Sequence, residues 1–217
     1  MASPRRAALS SAPQPTTAGE FSFVGNLLCV DFVNTEVMRQ DERVDRLPGI
    51  DDVLRWAGEA DLVDAAGLRG LPAGWRTSRE AARVLQDATA LRAVLRGAVE
   101  ALADGRPLPG DVVPALNHAL VAGASTLRLE RRGDAHATVR VALDPSPAAL
   151  LAPIAESAAW LLEHGDRALM RRCENGACIR FFYDTTKNRR RRWCAMDGCG
   201  SRAKAAAYYR RRKASEA

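Results

Sequence analysis

The chain has no apolar run approaching the length of a membrane-spanning helix, and its first residues, Met1 to Glu20, contain no apolar segment of the secretory type. These absences predict a cytoplasmic protein with no membrane partner. Histidine is scarce, with three in 217 residues, and His118, His136 and His164 are scattered along the chain as surface or satisfied side chains would be. No nucleophile–base constellation, glycine-rich phosphate loop or carboxylate pair stands out, so nothing in the sequence supports an enzyme. No repeat is found beyond two matched cysteine pairs.

Those pairs are the most informative feature present. Cys173 and Cys178 have four residues between them, as do Cys194 and Cys199, and fifteen residues separate the pairs. Four thiolates in two short loops can close a tetrahedron around one structural zinc ion. A disulfide framework fits poorly without a secretory segment. An iron–sulfur cluster also takes four thiolates, but rarely from two equal pairs ahead of a basic helix. Four-residue gaps do not match a CxxC redox motif. The fifth cysteine, Cys29, sits in an apolar run and reads as a small buried hydrophobe.

Charge is unevenly placed. Residues 171–217 carry 14 Lys+Arg against 4 Asp+Glu, a net of +10, and the other residues carry 18 against 22, a net of −4. A mildly acidic body joined to a strongly basic module points to a polyanionic partner for the module. Residues 1–19, rich in Ser, Pro and Ala, read as a disordered tail. The body then spans 20–168 and the module 169–217.

Within the body, Phe21–Val24 reads as a short strand and Leu27–Met38 as a helix. Asp51 or Asp52 can cap a short helix holding Val53, Leu54 and Trp56, followed by a loop through Gly67–Trp75. Thr77-Ser78-Arg79-Glu80 has capping-box spacing. It opens a helix whose apolar stripe runs from Val84 and Leu85 through Ala88, Leu91, Val94, Leu95 and Ala98 to Leu102, ending at Asp104-Gly105. A further helix covers Asp111–Val121. Thr126–Glu130 and Thr138–Leu143 alternate about the turn Arg131-Arg132-Gly133-Asp134 and predict a β-hairpin. Pro147 starts a helix to about Glu163. The predicted fold is α+β: a mostly helical N-terminal domain with one small β-hairpin, plus a C-terminal treble-clef-like zinc finger with four cysteine ligands. In the finger, Phe181-Phe182-Tyr183 is strand-prone, Asp184 to Asn188 has turn chemistry, and Arg189–Arg192 would return as the second arm of a hairpin. Ser201 would cap a helix to about Arg212.

Two segments resemble known families. Cys173-x4-Cys178, Phe182-Tyr183-Asp184-Thr185-Thr186-Lys187-Asn188 and Arg192-Trp193-Cys194-x4-Cys199-Gly200-Ser201-Arg202-Ala203-Lys204 resemble the CGNR zinc finger. Leu28-Cys29-Val30-Asp31-Phe32-Val33-Asn34-Thr35, with the later Leu54-Arg55-Trp56, is similar to the ABATE domain that precedes that finger. The resemblance implies a stress-linked transcription regulator. One departure is Ser201, which stands where the family motif has Asn, so a base or phosphate contact attributed to that Asn does not carry over.

The basic residues expected to meet nucleic acid are Lys187, Arg189, Arg190, Arg191 and Arg192 before the second knuckle, and Arg202, Lys204, Arg210, Arg211 and Arg212 on the last helix. DNA is the expected partner. RNA or an acidic protein is the alternative, with the finger as an adaptor scaffold, and a thiol redox switch is a third reading. Some of Arg172, Arg180 and Arg202 can instead neutralise the zinc–thiolate centre, whose formal charge is −2. Trp193 reads as part of the finger's small core. Asp31 and Asn34, polar residues three apart in an apolar run, could line an effector pocket or could satisfy buried backbone groups. Self-association and the identity of any effector stay open.

Overall fold

The computed structural model describes residues 21–63, 65–142 and 147–215, so the expected N-terminal tail lies outside the described residues. The body centres on a short helix, α1 (Leu28–Val33), every residue of which is buried. Its sequence is apolar nearly all round, as a helix surrounded by protein requires. Packed around it are α2 (Ile50–Glu59), the 25-residue α4 (Arg79–Ala103), α5 (Val112–Ala122) and α6 (Ala152–His164). A short α3 (Ala65–Arg69) interrupts the loop expected there. Phe32 and Phe23 pack on Trp56, at 5.0 and 6.2 Å between ring centroids, and Cys29 lies inside this core as expected.

The helix expected over Leu27–Met38 stops at Val33. It gives way to a hairpin of β1 (Glu36–Arg39) and β2 (Glu42–Asp45), with Val37 opposite Val44. Gln40 and Asp41 both adopt positive φ, 49° and 63°, the geometry of a tight two-residue hairpin turn. The hairpin is held from below by two arginines on the buried face of α4. Arg92 grips Asp45 with two bonds of 2.6 Å and donates to Thr35 Oγ1 at 2.9 Å. Arg96 donates to Glu36 at 2.5 Å and to the Val33 carbonyl at 2.8 Å. Burial pushes the Asp45 carboxyl up, but Arg92 and the Leu47 N–H together hold it below its ordinary value.

Other expectations need smaller corrections. Phe21–Val24 forms only an isolated bridge at Phe23. Ser78, not Thr77, caps α4 by accepting from Ala81 N–H at 3.1 Å; Thr77 Oγ1 donates to the Gly74 carbonyl at 3.0 Å, and Glu80 accepts from the Trp75 indole at 2.6 Å. The hairpin β3 (Ser125–Arg132) and β4 (Ala135–Ala142) forms as expected around Gly133-Asp134, with Gly133 at φ 61°, while Leu143, the expected end of the second strand, lies outside the described residues.

The C-terminal segment is built onto the body rather than hung from it. β5 (Met170–Arg172) pairs antiparallel with β6 (Phe181–Tyr183), and Met170, Phe181 and Tyr183 belong to the same core as Leu28, Trp56 and Leu95. Among the described residues, the outer edge of β6 has no strand neighbour. The body serves it instead: Asn34 bonds both backbone groups of Phe181, Tyr183 N–H donates to the Gly25 carbonyl at 2.8 Å, and Asn26 Nδ2 donates to the Tyr183 carbonyl at 2.9 Å. Arg172 ties the outer face to Asp104 at the end of α4 with two bonds of 3.0 Å.

Candidate metal centre and the junction with the body

The hairpin β5–β6 carries the first cysteine pair. The strands differ from the expected ones: β6 pairs with 170–172, not with Arg189–Arg192. Asp184 is the reason. Its buried carboxylate accepts from Thr186 N–H at 3.0 Å, Thr186 Oγ1 at 2.5 Å and Arg191 N–H at 2.9 Å, which turns the chain out of strand geometry directly after β6. The chain returns only as far as a bond from Glu174 N–H to the Arg192 carbonyl, 2.9 Å, and this places Trp193 and Cys194 beside the first pair. Cys199 follows on one wide turn, Met196–Gly200, closed by Gly200 N–H donating to the Ala195 carbonyl at 3.0 Å. The last helix, α7 (Ser201–Ser215), continues from this turn. Ser201 therefore does not cap it; already helical, it donates Oγ to the Met196 carbonyl at 2.9 Å.

The four sulfurs of Cys173, Cys178, Cys194 and Cys199 all lie within 4.8 Å of one another, with Cys178 to Cys194 at 3.8 Å and Cys194 to Cys199 at 3.6 Å. A tetrahedral ion with metal–sulfur bonds of about 2.3 Å places its ligands about 3.8 Å apart, so the quartet fits one structural zinc. Charge points the same way. Hydrogen bonds from Cys178 and Cys194 draw the Cys173 thiol down, and the hydrogen bonds within the cluster push Cys178 and Cys194 up, so the four sulfurs do not all ionise together unaided. Four thiolates this close need a cation between them. Cys194 N–H donates to Cys173 Sγ at 3.5 Å and Arg202 to Cys199 Sγ at 3.7 Å, the outer donors expected around thiolates. Val24 of the body, Phe182 and the half-buried Trp193 pack against the quartet.

The basic residues separate into groups. Arg191 is half-buried: its guanidinium lies 4.3 Å over the Phe182 ring and donates to the carbonyls of Val24, Trp193 and Cys194. Of the residues expected to meet nucleic acid, Arg191 is thus the one whose guanidinium is engaged by carbonyls and a ring of the chain itself. Arg192 bonds Glu174 at 2.5 Å and lies over Trp193; Arg189 lies 3.4 Å from Asp166. Lys187, Arg190, Lys204, Arg211 and Arg212 are exposed, as are Tyr208 and Tyr209 on α7. Arg210 is on α7, with its side chain outside the described residues.

The chain's own sequence pattern and this geometry agree with comparison to known families. Residues 26–165 match ABATE, described as a "putative stress-induced transcription regulator", and residues 170–212 match the CGNR zinc finger. The chain belongs to the ABATE family. Neither matched family is an enzyme family. A search of curated proteins finds no match. Among the described residues, no helix is long and apolar enough to cross a membrane.

The ABATE residues Asp31 and Asn34 both line a cavity of about 220 Å³ at the junction of body and finger. Their roles differ. Asn34, 3% exposed, is engaged at both ends of its amide: Nδ2 donates to the Phe181 carbonyl at 2.8 Å and Oδ1 accepts from Phe181 N–H at 2.9 Å. Asp31, 2% exposed, accepts from Gly25 N–H at 2.7 Å through Oδ1, while Oδ2 has no partner. A Cβ at position 25 would sit 2.9 Å from Oδ1, so this contact depends on glycine. Burial pushes the Asp31 carboxyl up to about 7, against the pull of the Gly25 and Val24 N–H groups and of Arg191 and Arg180. Sequence reasoning missed Arg92 and Arg96 altogether and gave Arg180 only a charge-neutralising role. The first two lie four apart along the apolar stripe of α4, the one signal that could have marked them.

Proposed function

We propose that this ABATE protein is a zinc-dependent, DNA-binding transcription regulator of stress response that works in the cytoplasm. Residues 169–217 make the contact and residues 20–168 regulate it. The observation that carries the reading is the exposed basic array of Lys187, Arg190, Lys204, Arg211 and Arg212, beside a thiolate centre that another arginine, Arg202, already serves. Lysine and arginine on an exposed helix and loop suit phosphate contacts, which give affinity and register on a duplex. Tyr208 and Tyr209, 55% and 67% exposed, favour unpaired bases in DNA or RNA as the second reading, since rings of this kind stack on bases.

The test is anisotropy titration of the zinc-loaded full chain against labelled duplex DNA, single-stranded DNA and RNA over a salt series. Duplex binding with a steep salt slope is expected. Changing Lys187, Arg190, Lys204 and Arg211 together to Ala should flatten the slope by about 0.9 for each phosphate no longer neutralised, with zinc retained. Unchanged slope and affinity would remove the proposal.

A further inference from the structure

We infer that the junction cavity binds a small organic acid that also carries a hydroxyl or amino donor, with its carboxylate toward Arg180 and its donor toward Asp31 Oδ2. Buried polar atoms without a partner are rare in folded proteins and call for an explanation. Among the described residues there are three: Asp31 Oδ2, Arg180 Nε and Trp160 Nε1. The first two belong to residues lining this one cavity; Trp160 is not among its lining residues. One is an acceptor and the other a donor, so together they match a single molecule that offers both.

The charge of the walls sets the ligand's sign. Arg39, Arg46, Arg180 and Arg202 line the cavity against the Asp31 carboxylate and Cys178 and Cys199 of the metal centre, whose formal charge of −2 with Asp31 still leaves the guanidinium groups in excess. An excess of guanidinium groups selects an anion, and a planar carboxylate suits the guanidinium fork. The neighbouring polar side chains are already engaged. Asn34 is held by Phe181, and the Thr35 hydroxyl donates to the Phe32 carbonyl while accepting from Arg92. Recognition therefore falls on Asp31, whose Oδ1 is held by the Gly25 N–H and whose Oδ2 has no partner, and on Arg180. Phe21, Met38 and Trp56 offer apolar surface for a short carbon chain. At about 220 Å³ the space is below that of most drug-sized sites, which fits an acid of a few carbons.

The walls come from both parts of the chain: Phe21 to Trp56 from the body, and Ala177 to Arg180 with Cys199 and Arg202 from the finger. A ligand here would bridge them and favour the packed arrangement, which is how an effector could act on α7. This deepens the reading of the body as regulatory and rests on it only for that consequence. Its test is independent of DNA, because binding is measured with no nucleic acid present.

The experiment is calorimetric titration of the zinc-loaded full chain, at a pH above the value of about 7 to which Asp31 is raised so that its carboxylate is ionised, with L-malate, L-aspartate, succinate and inorganic phosphate at millimolar concentrations. Malate or aspartate should bind, with succinate weaker by about tenfold or more, because it lacks the donor that meets Asp31. Asp31→Asn keeps the acceptor for Gly25 N–H and should collapse the malate-to-succinate preference toward one. Arg180→Gln should weaken every acid by about tenfold or more. If Arg180→Gln fails to retain zinc, the Asp31→Asn comparison decides alone. No binding by malate or aspartate, a succinate affinity equal to theirs in the unmutated protein, phosphate binding as tight as theirs, or affinities that survive both substitutions would each overturn the inference. The first of these outcomes leaves water as the partner of the two atoms.

Discussion

Changing Asn34 to Ala should destabilise the whole chain, although the residue touches neither zinc nor the helical core's apolar seams. Its amide is 3% exposed and completes both backbone groups of Phe181, at 2.8 and 2.9 Å, on the one edge of β6 that has no strand beside it among the described residues. Alanine leaves a buried N–H and a buried C=O unpaired. Each orphaned group costs about 1–3 kcal/mol, so the pair costs about 2–6 kcal/mol, reduced where water can enter the gap. A loss of about 3 kcal/mol is therefore expected. The assay is urea unfolding of zinc-loaded protein, followed in parallel by tryptophan fluorescence and by zinc release to a colorimetric chelator. Both signals should shift to lower urea together, because Phe181 and Tyr183 share a core with Trp56. Asn34→Asp is the sharper control. It keeps an acceptor for Phe181 N–H but turns a carboxylate oxygen toward the Phe181 carbonyl, and it should be at least as damaging. A change below about 0.5 kcal/mol for Asn34→Ala, the range of ordinary surface substitutions, would refute the edge-completion argument.

Chelating zinc, or changing Cys199 to Ser, should lower the melting midpoint of the entire helical signal by circular dichroism and not only that of residues 170–212, since the metal holds a hairpin whose side chains lie in the common core; an unchanged body midpoint would contradict this. Arg92→Ala should cost about 2–4 kcal/mol in urea unfolding, less than for a fully enclosed pair because Asp45 keeps 39% of its side-chain surface in solvent; a loss under about 0.5 kcal/mol would show the pair to be ornamental. Asp31 gives a pH prediction. Its carboxyl is raised from 3.8 to about 7 in the folded chain, so the folded state favours the protonated form. The associated stability is fully present below about pH 4 and is lost as pH rises toward and through about pH 7, a swing of roughly 4 kcal/mol. Asp31→Asn cannot lose that proton. The stability of the unmutated chain relative to Asp31→Asn should therefore fall with rising pH across this window, measured as the difference in urea midpoints, and a constant difference would refute the assignment.

Much of this protein is written locally. The paired spacing of Cys173, Cys178, Cys194 and Cys199 is a short-range code, because the loops that bring two sulfurs together are only a few residues long. The apolar stripe of α4 and the alternation of β3 and β4 about Gly133 are likewise properties of neighbouring residues. The end of α1 was not legible in that way. Its polar residues could equally continue a helix, and Asn34, directly after its last residue, is engaged by a backbone 147 residues away. The same holds for the partner of β6, decided by Asp184 folding its own loop, and for Arg92, Arg96 and Arg191, whose charges look solvated in one dimension and are spent on carboxylates and carbonyls in three. Arg180 and Asp31 belong to the same class: that they face one cavity follows only from packing the finger against the body. Spacing and periodicity report what a residue does to its own segment. The pairing of buried polar groups is a long-range requirement, met wherever the fold brings donor and acceptor together, and only the tertiary structure could decide it.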